Sequence, residues 1–167
     1  MRTNELLLGV IIILVIGLIA VVWGTVKRDV NAPLVASDAP TKMMQLQAYE
    51  RLTLLVERIA LPNLITRISV AGMTAREMQL LLTQNIRQEF DYNISQQVYV
   101  STDAWNAVKN LKEQNLLAIN QIANTLPANA TGLDLNKQLV DFSMNDKKGA
   151  LHEIVSNVVS NEAKKIL

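Results

Sequence analysis

The chain has 167 residues, 16 of them basic and 15 acidic, and a formal net charge of +1. That balance lacks the clustered basic surplus typical of nucleic-acid binding, so we predict no nucleic-acid partner. The sequence contains no cysteine, which excludes disulfides, thiolate metal sites and cysteine nucleophiles.

The first predicted element is a transmembrane helix in the uncharged run at residues 6–26. Its length corresponds to about 31 Å of helix, close to the roughly 30 Å hydrocarbon core of a bilayer. The alternative, a cleaved signal peptide, has a shorter apolar part of about 7–15 residues. Trp23, Lys27 and Arg28 follow the aromatic and basic pattern that pins a spanning helix at the headgroups. We therefore predict an anchor with its flanks at residues 1–28, which includes Leu6, Gly17, Ala20, Trp23, Gly24 and Val26.

Basic residues beside this run predict its orientation. Lys27, Arg28 and Lys42 lie within about 20 residues of the run on its C-terminal side, whereas Arg2 and the α-amino group lie on its N-terminal side. The positive-inside rule then places the larger part of the chain in the cytoplasm.

The remainder of the chain is predicted to be a short linker followed by a helical domain. Residues 29–40 contain Pro33 and Pro40 among small polar residues, which is typical of a linker. In residues 41–167 the apolar residues recur mostly with helical spacing, so we expect a soluble helical-bundle domain.

Helix signals divide this domain into segments. A first helix at about 41–61 should end near Pro62, and a second, short helix follows at 64–70. Thr74 and Glu77 form a capping-box pattern that opens a third helix at about 75–94. Residues 95–100 suit either an extended loop or a bent continuation of that helix.

Three further helices are predicted after that stretch. Ser101 is a good N-cap for a helix at about 102–125, which Pro127 closes. Thr131 and Asp134 begin a short helix, and the last helix follows Gly149. The fold class is therefore all-α, with a single N-terminal transmembrane helix followed by a bundle of four to six helices. The apolar positions expected in the core include Tyr49, Leu52, Val56, Ile59, Met78, Leu82, Ile86, Phe90, Leu135, Leu139, Ile154 and Val155.

No residue pattern indicates catalysis. His152 is the only histidine, and Ser156 stands where a zinc-binding H-E-x-x-H pattern needs a second one. Glu89 and Asp91 lie two residues apart and so face different sides of a helix, and we expect Asp91 to pair with Arg87. We predict no enzymatic activity, no cofactor and no metal site.

Two patterns leave binding open. Tyr49, Leu52, Val56 and Ile59 could form a self-association seam, but an ordinary bundle helix has the same spacing. The amide side chains of Asn106, Asn110 and Gln114 recur every four residues and suit either a partner surface or a solvated face.

The segments YERLTLLVERI at 49–59 and IRQEFDYNISQQVYVSTDAW at 86–105 resemble an uncharacterised family of small membrane-anchored helical proteins of Gram-negative bacteria. The resemblance implies a location in the bacterial inner membrane and implies no activity. Polar residues of the second segment are candidates for a functional surface, although the alternative is that they cap helices and fix a turn. These candidates are Arg87, Glu89, Asn93, Gln96, Gln97 and Trp105.

Our first hypothesis is a structural or interaction protein, a scaffold or adaptor that holds a partner protein or further copies of itself at the membrane. The alternative is a module that binds a small molecule or lipid between its helices. Met43, Met44, Met73 and Met78 could line such a site, although methionine more often fills gaps in a core.

Overall fold

The computed structural model describes residues 38–145 and 151–167. Its six α-helices are α1 (Asp38–Ile59), α2 (Leu61–Ile68), α3 (Ala75–Tyr92), α4 (Thr102–Thr125), α5 (Gly132–Asn145) and α6 (Leu151–Lys164), with a 3₁₀-helix at Ile94–Val98 between α3 and α4. No strand occurs in these ranges, so the all-α prediction is confirmed for the described part of the chain. None of the described helices combines the length and apolarity needed to cross a membrane. The predicted anchor at residues 6–26 lies outside the described residues and stays a prediction.

Most element boundaries follow the sequence signals. α1 begins at Asp38, three residues before the predicted start. Pro40 does not prevent this start, because it falls in the first turn, where a missing amide donor breaks no helical hydrogen bond. The stretch after α3 is the bent continuation, a 3₁₀-helix, and the loop alternative was wrong. The described residues from Ala39 to Leu167 form one compact unit.

Buried apolar side chains of all six helices form one core, and α4 is central because it packs against α3, α5 and α6. The self-association seam is wrong, since all four of its residues are buried inside the bundle, as an ordinary bundle helix requires. The prediction for Ile154 was also wrong, because α6 instead buries Val155 and Val159, and Ile154 is turned outward. The fully buried side chains include Leu52, Leu55, Ile59, Leu64, Met78, Leu82, Ile86, Leu111, Ile119, Leu135 and Leu139.

The chain bends sharply between α1 and α2, a junction we call the elbow (residues 57–63). Pro62 lies in the first turn of α2 and has no N–H with which to reach the carbonyl oxygen of Arg58. Side chains satisfy the last carbonyls of α1 instead. Arg67 donates to the carbonyl oxygen of Arg58 at 3.2 Å, and the buried amide of Asn115 in α4 donates to that of Ile59 at 2.7 Å. The elbow is therefore held by side chains of the adjoining α2 and of the distant α4.

The starts of α3 and α5 lie side by side. The N–H of Ala75 donates to the carbonyl oxygen of Ala130 at 2.9 Å, and the N–H of Gly132 donates to that of Met73 at 2.7 Å. A side chain at Gly132 would place its Cβ 3.2 Å from the Met73 oxygen, so glycine permits this close approach.

Each of these two helix starts is also capped from within its own sequence. Thr74 accepts from the N–H of Glu77, and the Glu77 carboxylate accepts from the N–H of Thr74 at 2.9 Å, which confirms the predicted capping box. Thr131 and Asp134 repeat the same exchange at the start of α5.

Candidate functional site

A surface groove of about 650 Å³ lies between α1 and α3. We call it the α1–α3 groove. Arginine, leucine and tyrosine side chains form its walls, together with the carboxylate and amide of two residues near the end of α3. Its lining residues include Arg51, Leu54, Leu55, Arg58, Glu89, Tyr92 and Asn93.

Helical geometry explains which residues of α1 reach the groove. At about 100° per residue, Arg51 and Arg58 fall on almost the same side of α1, with Leu54 beside them and Leu55 turned toward the core. Leu55 is fully buried and forms the floor, whereas Leu54 is 62% exposed at the rim. The α1 wall thus alternates charge and apolar surface.

On α3, Tyr92 gives the groove a large apolar side. Tyr92 is 76% exposed because it follows the buried Phe90 by two residues and so falls on a different side of the helix. Leu54 and Tyr92 thus present apolar surface from both walls of one depression, whereas single exposed apolar residues are ordinary on protein surfaces.

Glu89 is the polar centre of the groove. Its carboxylate lies 2.6 Å from the guanidinium of Arg58 and 3.5 Å from that of Arg67, and its side chain is only 15% exposed. The hydrogen bond to Glu89, and then the attraction between the two charges, raise the pKa of Arg58. Asn93 donates its amide to the backbone carbonyl oxygen of Glu89 at 2.9 Å. Glu89 therefore ties α3 to the elbow.

The six residues singled out in the sequence do not form one surface. Glu89 and Asn93 line the α1–α3 groove, where they also hold the fold together. Gln96 and Gln97 belong to the 3₁₀-helix, where Gln97 is exposed and Gln96 donates to the hydroxyl of Ser95. Trp105 packs on the core, with its ring centre 5.1 Å from that of Phe90.

Arg87 does not form the expected ion pair. No ion pair joins Arg87 to Asp91 among the described residues, so that prediction was wrong. The charge of Arg87 instead contributes to a lowered pKa of Glu113 on α4, after a larger effect of the hydrogen bond with Lys112. This influence crosses from α3 to the α4 packed against it, which the local spacing could not reveal.

Six groove residues were missed as site candidates: Arg51, Leu54, Leu55, Arg58, Gln88 and Tyr92. The repetition of Glu-Arg at 50–51 and 57–58 was a usable signal, because a seven-residue interval places both arginines on one side of a helix. Helical spacing also placed Leu54 and Tyr92 away from the core, since each lies two residues from a buried residue of its helix, but it could not show that the two line one groove.

The described ranges contain neither a group of side chains that could bind a metal ion nor a ligand site lined by the methionines. No group of three or more His, Asp or Glu residues there could hold a metal ion. Met43 and Met44 are exposed near the start of α1, Met78 is fully buried in the core, and Met73 lines a separate depression of about 530 Å³. These methionines do not share one site.

The model of a family of unknown function, DUF7935, matches residues 4–166. This agrees with the predicted membership of an uncharacterised family. No curated protein and no solved structure matches the chain.

Proposed function

The chain belongs to the DUF7935 family, and we propose that it is a membrane-anchored interaction protein, a scaffold or adaptor without catalytic activity. In this proposal the helical domain holds a partner protein at the α1–α3 groove. The observation that carries it is the opposition of Leu54 and Tyr92, both mostly exposed, across a groove with arginine on its rim. Tyrosine and arginine are enriched among the residues that dominate the energy of protein interfaces.

The membrane part of the proposal rests on the sequence. The uncharged run at residues 6–26 has the length and apolarity of a spanning helix. The family match covers this run and the helical domain together, which supports a single shared architecture. Lys27 and Arg28 favour a cytoplasmic domain, and the resemblance noted above favours the inner membrane of a bacterium.

Photo-crosslinking in native membranes tests the interaction. A photoreactive phenylalanine analogue would replace Tyr92 or Leu54 in the full chain, and Ile154, which is 56% exposed on α6, provides the matched control position. We expect a discrete crosslinked species from both groove positions and none from position 154. The species from position 92 should disappear when Leu54→Asp is added, because a carboxylate would break the apolar contact.

The same bands from the control position, or bands that survive Leu54→Asp, would contradict the groove as the binding site. A crosslinked species of twice the mass of the chain would identify a second copy as the partner instead of another protein.

Protease protection tests the membrane placement. In inverted vesicles, whose cytoplasmic face is outside, we expect added protease to cut the helical domain, and right-side-out vesicles should protect it. The opposite pattern would overturn the cytoplasmic orientation. Extraction of the intact chain by alkaline carbonate would contradict a spanning anchor.

A further inference from the structure

We propose that the partner enters the α1–α3 groove as an amphipathic helix whose polar side is acidic. This inference rests on the proposed function, because it assumes that the groove binds protein, and it specifies the chemistry of the bound segment.

The charge of the groove selects an acidic partner. The one carboxylate on its lining, that of Glu89, is already engaged by Arg58 and Arg67. Arg51 makes no ion pair with any residue in the described ranges. Two arginines of the lining and Arg67 beside it therefore face a single carboxylate, and the surplus is positive.

The acidic residues of α1 do not cancel this surplus. Glu50 and Glu57 fall on the other side of Leu54 from Arg51 and Arg58, by the rotation of about 100° per residue, and neither lines the groove. The amide of Asn63 also donates to the carboxylate of Glu57 at 3.2 Å. The rim of the groove therefore changes sign across Leu54, which would fix the orientation of an acidic ligand.

The walls of the groove explain why the ligand should be a helix. Both walls are α-helices, whose backbone groups are already paired along their length, so an extended peptide finds no free sheet edge to join. Recognition must come from side chains, as when an amphipathic helix lays its apolar face into a groove. Small-molecule sites usually enclose about 70–90% of the ligand, whereas Leu54 and Tyr92 stand mostly exposed here.

The spacing of the groove residues indicates which positions of the partner helix would contact them. Arg51 and Arg58 are seven residues apart, or about 10 Å along α1. Apolar residues of the partner at positions i, i+3 and i+4 would meet Leu54 and Tyr92, and a carboxylate one to two turns away would reach Arg51.

The test uses the full chain in lipid nanodiscs, with empty nanodiscs as the blank, and two fluorescent peptides of about 20 residues, long enough to form a helix. Both peptides carry leucine at i, i+3, i+4 and i+7, and their polar positions are glutamate in one and lysine in the other. By fluorescence anisotropy we expect the glutamate peptide to bind about tenfold or more tightly than the lysine peptide, or about 1.4 kcal/mol.

Variants at a single exposed position make the result specific. Arg51→Glu should weaken binding of the glutamate peptide about tenfold and strengthen binding of the lysine peptide, because it reverses the charge that the ligand meets. Lys109→Glu makes the same change of charge on α4, outside the groove, and should leave both affinities unchanged. Circular dichroism checks that each variant is folded.

Equal binding of the two peptides, or equal effects of the two variants, would overturn the acidic-helix assignment. If the crosslinks from Tyr92 nevertheless persist, the groove binds protein of another character and only this inference fails. If the crosslinks from Tyr92 are also absent, both this inference and the proposed function fail.

Discussion

The elbow and the paired starts of α3 and α5 meet the same physical need by different means. Helix ends leave backbone donors or acceptors without an intrahelical partner. At the starts of α3 and α5, a threonine and an acidic residue three positions later satisfy each other's backbone. At the elbow, the amide of Asn115 and the guanidinium of Arg67 supply the missing donors.

The difference lies in the sequence distance over which each end is satisfied. The capping pairs are three residues apart, whereas at the elbow Arg67 lies nine positions from Arg58 and Asn115 lies 56 positions from Ile59. A capping box can form as soon as its own turn forms. The elbow instead depends on α3 and α4 being in place, so we expect its geometry, and the groove beside it, to depend on the whole bundle.

Removing the Asn115 donor should have the largest effect. In Asn115→Leu, a side chain of similar size leaves the carbonyl oxygen of Ile59 buried without a donor, which should lower the free energy of unfolding by about 1–3 kcal/mol. Urea denaturation followed by circular dichroism measures the loss. Asn106→Leu, at an exposed position of the same helix, should change stability by less than about 0.5 kcal/mol. Equal losses in both variants would show that the elbow does not depend on Asn115.

Removing the charge of Glu89 should have an intermediate effect on stability and an opposite effect on binding. Glu89→Gln keeps the size of the side chain but weakens its contacts with Arg58 and Arg67, so we expect a loss of about 1 kcal/mol in the same urea experiment. It also makes the groove more positive, so the glutamate peptide should bind several-fold more tightly. Weaker peptide binding in this variant would contradict the charge argument.

Acid should reveal the smallest effect, at the two capped helix starts. Hydrogen bonds from the backbone and side chains of Thr74 and Thr131 lower the pKa values of Glu77 and Asp134 below their ordinary values of 4.5 and 3.8. A lowered pKa in the folded state means that the stabilisation is present above the ordinary value and is lost as pH falls through the folded value. The midpoint temperature of thermal unfolding should therefore decrease as the pH falls below about 4.

The matched test is the double variant Glu77→Gln and Asp134→Asn, which should flatten this acid dependence. Thr74→Ala with Thr131→Ala should reduce it only in part, since the carboxylates lose the hydroxyl donors but keep the backbone N–H donors, which lower the two pKa values more. Thermal unfolding between neutral and acid pH measures the change, and an undiminished dependence in both double variants would place its origin elsewhere.

Much of the helical pattern was predictable because its signals are local. The capping box at Thr74 and the N-cap at Ser101 both begin helices where the sequence indicated, and α4 has the predicted bounds. The end of α1 was predicted less completely, since Pro62 marks the break between α1 and α2 but does not show which side chains satisfy the last carbonyl groups of α1. Ile154 was misplaced because the apolar stripe of α6 includes Val155 and Val159, and packing against α4 selects their side of the helix.

The candidate site was predictable only in part, because it joins two segments that are distant in sequence. Glu89 and Asn93 were singled out, yet their contacts with the elbow and with α3 itself show how they support the fold. Helical periodicity turned Leu54 and Tyr92 away from the core, but it could not show that they line one groove, since they belong to two helices that meet only in the folded bundle.

The sequence by itself determined the all-α class, the ends of most described helices and the capping at Thr74, because these depend on residues within a few positions of one another. It also predicts the membrane anchor through the uncharged run at 6–26. Only the tertiary structure decided that Asn115 and Arg67 complete the elbow, that the starts of α3 and α5 pair, and that α1 and α3 enclose a groove. These features require contacts between segments that the chain brings together only when the bundle packs.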